Sequence, residues 1–336
     1  MWLSNFVICH WSFVFLLLPT PNSGTGGFSK EIDNQSLQFL VKTRPYDLRL
    51  TEMNSSKTLR NYLLVAPQTL IFVLFLVLPI IAIAIVSFWN FNGFAMTPGF
   101  TLNNYLGIFS SRVYLSTYLN TFKFAFLVWL FCLLISYPAA YFLAFHIKSP
   151  KWQTILFLIC TVPFLTSNII RMISWIPFLG REGLINQALM GLGITRQPVE
   201  IFLFSDFSVI LAMVHLYCLF MVAPIFNSMM RSDRSLVTAA EDLGSSPLQI
   251  QKEIILPLSA AGIAIGSIFV VTLVMGEFAT MRIMSGGKSS SVGYLIKNQL
   301  DSLQYPLAAA NAVVLLIVTL IIVFAILRVV DIRKEL

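Results

Sequence analysis

The stretch from Thr238 to Pro257 reads TAAEDLGSSPLQIQKEIILP, a polar interruption between long apolar runs, and its reading decides the fold. Asp233 or Ser235 can cap a first short helix that carries Leu236, Ala239, Ala240 and Leu243 on one side and Glu241 and Asp242 on the other. Gly244 stops it, because glycine accepts the left-handed conformation that closes a helix C-terminus. Ser246 and Pro247 then supply an N-cap and a first helical residue, and Pro257 closes the second helix before the next apolar run. A small-residue helix–glycine–helix corner of this kind is a knob shaped for a partner.

Outward from the knob, the chain is a membrane protein. Of its 336 residues 57% are hydrophobic and 11% charged, with a mean hydropathy of +0.82, too apolar for a soluble domain. Runs of about 20 apolar residues, the length a hydrocarbon core requires, begin near Leu63, Thr121, Trp152, Val209, Ser259 and Pro306. An all-α bundle of about six spans is therefore predicted. Basic residues cluster at alternate span ends: Lys57 and Arg60; His146, Lys148 and Lys151; Arg231, Arg234 and Lys252; Arg328, Arg333 and Lys334. The positive-inside rule places these ends, and the knob with them, in the cytoplasm. The net charge of +7 and pI near 9.3 express this bias, so no nucleic-acid partner is implied.

The first 58 residues stand apart. Trp2 to Leu18 is apolar but lacks the basic leading region and cleavage site of a signal peptide. Residues 20–58 are polar, with Gly24, Gly26 and Gly27, and show no helical period, which predicts a disordered leader. Translation starting at Met53 would give the first span a short basic lead, and a seventh span at residues 2–18 is the alternative.

Ala239 and Ala240, three residues, Gly244, nine residues, and then Ile254, Leu256 and Pro257 resemble the cytoplasmic signature of permease subunits of bacterial binding-protein-dependent ABC importers. Thr238 stands where that family usually has a glutamate. Two further stretches, TVPFLTSNIIRMISWIPFLGREGLIN in the third span and MGEFATMRIMSGG at the end of the fifth, look like the spermidine/putrescine group, and the similarity runs from about Asn61 to Arg328. The resemblance implies a type I core of six spans over residues 59–330, a coupling loop over 231–258 and a cytoplasmic tail over 331–336. It implies Ala239, Ala240, Glu241, Asp242, Gly244, Ile254, Leu256 and Pro257 as the contact with an ATPase. It further implies a multi-pass protein of the bacterial inner membrane and a translocation pathway shared with a second permease, by analogy a different one. A dimer of ATP-binding subunits and a periplasmic solute-binding protein would complete the system. ATP would be held by the partner, with no cofactor on this chain. The solute would be a polyamine, or another small organic solute or ion.

Catalytic chemistry finds no foothold, and no enzyme is predicted. Cys9, Cys132, Cys160 and Cys218 are scattered through apolar runs without metal or disulfide spacing, and read as buried thiols. His10, His146 and His215 are equally dispersed, so no metal site is predicted. Gly286, Gly287, Lys288 and Ser289 superficially suggest a phosphate loop, but Arg282 takes the place of the leading glycine and the segment joins two spans.

The path is sought among polar residues inside spans. Asn168, Arg171 and Trp175 share a face of a continuous helix, with Ser167 beside it, and Glu277 is the carboxylate of the fifth span. For straight helices at 1.5 Å per residue, Glu277 lies about 27 Å above Ser259, Arg171 about 28 Å above Trp152 and Lys123 about 33 Å above Phe145, all near the outer leaflet. Glu277 then either attracts a cationic solute or closes an outer gate, or else pairs with Lys123 or Arg171. An ion-driven secondary carrier is the competing class, and it would call for a carboxylate nearer the middle of the membrane.

Overall fold

The computed structural model describes residues 66–93 and 95–330. The proposed leader, the seventh span at 2–18, the start at Met53 and the tail at 331–336 all lie outside the described residues. Two units are distinguished, with their boundary at Ala82. Four described helices are long and apolar enough to cross a membrane, and two bent pairs raise the number to six if each pair is one span. The first of the four, α1 (Ala66–Val86), has a mean hydropathy of 3.2 and widens to a π turn at Val73–Val77.

In the larger unit, a two-residue hairpin, β1 (Asn90–Phe91) and β2 (Met96–Thr97), is followed by α2 (Asn103–Ser110) and the long α3 (Arg112–His146). Pro138 lies inside α3, whose last turn, Phe142–His146, is a π turn. A helix end leaves carbonyls without partners. Here the buried Gln153 side chain donates its amide to the carbonyls of Leu143, Ala144 and Ile147 at 3.1, 3.2 and 2.8 Å.

Gln153 belongs to α4 (Pro150–Leu165), which starts with proline at its first turn, where no N–H is missed. Its last residues, Val162–Leu165, tighten to a 3-10 turn around Pro163, after which the chain turns by 92° into α5 (Asn168–Ile173), α6 (Ile176–Leu179) and α7 (Leu184–Gly191). A proline removes a helical donor and restricts the residue before it, so the apolar run from Trp152 is not one straight rod.

The centre of the unit is α8 (Asp206–Arg231), the most buried of the long helices. A capping box of Ser205 and Ser208 opens it, with Asp206 in its first turn and Arg231 in its last, matching the helix dipole. The Sγ of Cys132 and the Oγ of Ser136 on α3 face the carbonyls of Val214 and Cys218 on α8, so these two helices run parallel.

After α8 come α9 (Arg234–Asp242) and α10 (Pro247–Leu258), which bends by 64° into α11 (Ala260–Met275). Gly262 faces Pro224 and Ile225 of α8 and Gly266 faces Met221, so α11 runs antiparallel to α8 at close approach. The chain then passes α12 (Ala279–Met284) and α13 (Val292–Asp301) to α14 (Tyr305–Val329). Buried Asn311 of α14 accepts from the Tyr118 hydroxyl and donates to Gln299, fixing α13 and α14 to α3.

Candidate translocation site and coupling knob

The knob is built from local rules. Asp233 caps α9, its Oδ1 accepting the Ser235 N–H at 2.9 Å, and that bond holds the exposed carboxyl below the ordinary carboxylate range. At the other end the Ser245 N–H reaches the Ala240 carbonyl and the Gly244 N–H the Glu241 carbonyl, at 3.0 and 2.9 Å. This is a Schellman closure, with Gly244 at φ +80°. Ser246 and Gln249 form a capping box that opens α10. Ala239, Glu241, Asp242, Gly244, Leu256 and Pro257 are exposed and Ile254 is half-buried. Ala240, expected on the presented side, instead packs inward with Ile250 and Ile255. The outward apolar side chains are Leu236, Leu243 and Leu248, the last two 86% and 82% exposed. Gln251 donates to the Tyr137 hydroxyl of α3 at 2.7 Å, tying the knob to the bundle.

Trp175 of the third span and Glu277 after the fifth both reach α8, where they bond to His215 and Tyr217 rather than to one another. Arg171 is 7% exposed, its Nη2 donates to Asn168 Oδ1, and its guanidinium lies 4.6 Å from the centre of the Phe164 ring. Asn168 itself is exposed, as is Ser167 at the N-cap of α5. Trp175, half-buried beyond the end of α5, donates its Nε1–H to Nδ1 of His215 on α8 at 3.0 Å. Glu277 follows the end of α11. It accepts from the Tyr217 hydroxyl of α8 and, through Oε1, from the Thr280 N–H at 2.9 Å.

One correction follows for the charges. Glu277 pairs with neither Lys123 nor Arg171, because Lys123 Nζ binds Asp206 Oδ2 at 2.5 Å and Glu277 is in no ion pair among the described residues. Lys123 is level with Asp206 at the start of α8, and Glu277 lies toward the same end: Ser291 Oγ donates to the Glu277 carbonyl, and the next residue, Val292, donates its N–H to Thr121 Oγ1, two residues before Lys123. Glu277 lies two residues past Met275, where the bent span ends, and the class of protein rests on relatedness. A cycle of Lys123→Met with Asp206→Asn is expected to show coupling of about 0.5 kcal/mol in thermal stability. Lys123→Met with Glu277→Gln is expected to show none.

Tyr217 and Asp206 escaped the sequence reading, and His215 was weighed there only as a metal ligand. The rule that singled out Arg171 and Glu277, a polar side chain inside an apolar run, applies equally to the fourth span. The sequence HLYC at residues 215–218 satisfies it. Ser289 joins Asp206 from the loop after α12, and Ser291 Oγ donates to the Glu277 carbonyl at 2.9 Å. That loop, with φ of +58° at Gly286 and +77° at Gly287, packs and braces. Cys160 is exposed on α4, against the expectation of burial, while Cys132 is buried.

These helices, with one broken and one bent span around a polar cluster, have the form of a membrane permease. The chain of a bacterial alginate ABC transporter, solved with an alginate-bound periplasmic protein, superposes with a TM-score of 0.67 at 18% identity, over 81% of this chain and 93% of that one. The fold is thus that of ABC importer permeases. No family model matches the sequence. The spermidine/putrescine transport system permease PotB of Escherichia coli is 36% identical over 221 residues, covering 65% of this chain and 78% of PotB. The Haemophilus influenzae protein of that name is 31% identical over 260 residues, 76% of this chain and 89% of its own. The chain belongs to the PotB family of ABC importer permeases. It is a multi-pass protein of the bacterial inner membrane and a transport subunit, not an enzyme. A putative 2-aminoethylphosphonate permease of Salmonella paratyphi A is 27% identical over 211 residues.

Proposed function

We propose that the chain forms half of the pathway of an importer for small amines of the polyamine class, and that ATP hydrolysed on a partner dimer drives it. The observation that carries the solute reading is Glu277: a half-buried carboxylate just past the end of α11, in no ion pair among the described residues, bonded to a phenol and a backbone N–H. A carboxylate so placed is a receptor for an ammonium group, and the PotB relatives are named for spermidine and putrescine. Asn168, Trp175 and Ser167 would line the approach, with Arg171 beside it. A periplasmic binding protein would deliver the amine, and a second permease would complete the path.

The knob carries coupling in this reading. Exposed Leu243 and Leu248 flank Gly244 and suit an apolar cleft on the ATPase. Transport needs only that the ATP-bound dimer hold one permease conformation better than the other. A Cβ at Gly244 would meet no atom within 4 Å, so the strain in Gly244→Asp comes from the left-handed backbone, about 1–2 kcal/mol at the corner. The expected result is a permease at normal membrane levels whose solute-stimulated ATP hydrolysis falls severalfold. Unchanged stimulation would count against the knob as the coupling element. The reading as a whole is tested by purifying the tagged chain from its native membrane with its partners and assaying spermidine-stimulated ATP hydrolysis in liposomes. A chain recovered alone that moves solute without ATP would overturn it.

A further inference from the structure

Arg171 is not explained by a path for cations. It is a guanidinium 7% exposed in the second half of a broken span, and its Nε and Nη1 have no hydrogen-bond partner among the described residues. What it does touch is neutral, the Asn168 oxygen and the face of Phe164. A buried charge without a counter-charge is strongly disfavoured, so such a group persists where another conformation satisfies it. The counter-charge is close at hand. Tyr217 donates to one oxygen of Glu277 and the Thr280 N–H to the other, while the Thr280 hydroxyl donates to the Sδ of Met172, the residue after Arg171. Thr280 thus joins the carboxylate to the helix that carries Arg171.

We propose that Arg171 is a tethered counter-cation, which takes the Glu277 carboxylate when the path is empty and is displaced by the solute's ammonium, so that it sets the charge a solute must carry. The inference rests on the reading of the solute as an amine. A single ammonium replaces Arg171 in an even exchange of one cation for another. A diamine or triamine does better, because its remaining ammonium groups find further acceptors along the path. Arg171 therefore acts as a specificity residue for multiply charged amines. Tyr217 holds the carboxylate ready in the arrangement described here, and loss of its hydroxyl would release Glu277 to Arg171.

The test is equilibrium binding of radiolabelled spermidine to the complete transport complex in lipid nanodiscs, without binding protein, so that the path alone is read. Arg171→Gln is expected to lower the Kd for spermidine about tenfold and to admit butylamine, and Arg171→Lys to restore the selectivity. Tyr217→Phe, which keeps the guanidinium, is expected to raise the Kd. In Arg171→Ala, millimolar guanidinium ion is expected to compete with spermidine. A Kd unchanged in both Arg171→Gln and Tyr217→Phe would overturn the role. A Kd raised by Arg171→Gln would overturn it too, assigning Arg171 to an anionic group on the solute. If neither the wild-type complex nor any variant binds an amine, the amine reading falls, and this role falls with it.

Discussion

Gly262→Val is expected to destabilise the bundle by about 3 kcal/mol or more, and to reduce the chain's level in the membrane accordingly. A Cβ at Gly262 would sit 2.5 Å from the Pro224 carbonyl oxygen and 2.9 Å from the Ile225 Cα. Backbone cannot rotate aside as a side chain can, so α8 and α11 must separate, and the contacts that both helices make along their length loosen together. Gly266 provides the control. The nearest atom to a Cβ there is the Met221 Sδ, at 2.6 Å, the flexible part of a methionine. Gly266→Ala should therefore cost clearly less than Gly262→Ala, read as the shift of the thermal unfolding midpoint in detergent. Equal costs would mean that the helices already yield at Gly262.

Glu277→Gln is expected to leave folding within about 1 kcal/mol of wild type, because the amide oxygen can still accept the Thr280 N–H while the amide NH2 donates to the Tyr217 hydroxyl, which accepts as well as donates. Transport should suffer far more. Losing a charged contact to a solute ammonium in a partly desolvated site is worth about 2 kcal/mol, or roughly thirtyfold in amine uptake. Glu277→Ala removes the backbone bond as well and should lower both stability and uptake, so the Gln variant is the informative one. Normal uptake by Glu277→Gln in proteoliposomes would leave the carboxylate a structural cap for α12.

How much of this was legible in the sequence depended on the range of each interaction. Gly244, Ser246 and Pro247 act on residues within one turn, and the knob accordingly folds as read, down to the αL glycine and the second capping box. Hydropathy likewise located the apolar segments. It could not tell a straight span from a broken one, because an apolar count is blind to direction. Pro163 followed by Thr166, Ser167 and Asn168 was the available signal for the 92° turn. The error then propagated to Arg171, which was given a height on a rod that ends at Leu165. The partners of Glu277 and Trp175 were out of reach for another reason. Tyr217 is 60 residues from Glu277, and His215 is 40 from Trp175, separations that only packing of α8 against its neighbours decides. Ala240 shows a smaller case, since it shares one apolar side with Leu236, Ala239 and Leu243, and the pattern leaves open which of the four turns inward.

Gln153 has a mechanical consequence. By holding three terminal carbonyls of α3 from a position on α4, it rivets the two helices so that neither tilts without the other. The knob grips α3 at Tyr137, through Gln251. A push on the knob is therefore delivered beyond α3 to α4, whose far end is the kink that carries Asn168 and Arg171. The bundle has the parts of a crank, in which a displacement at the surface swings a buried charge.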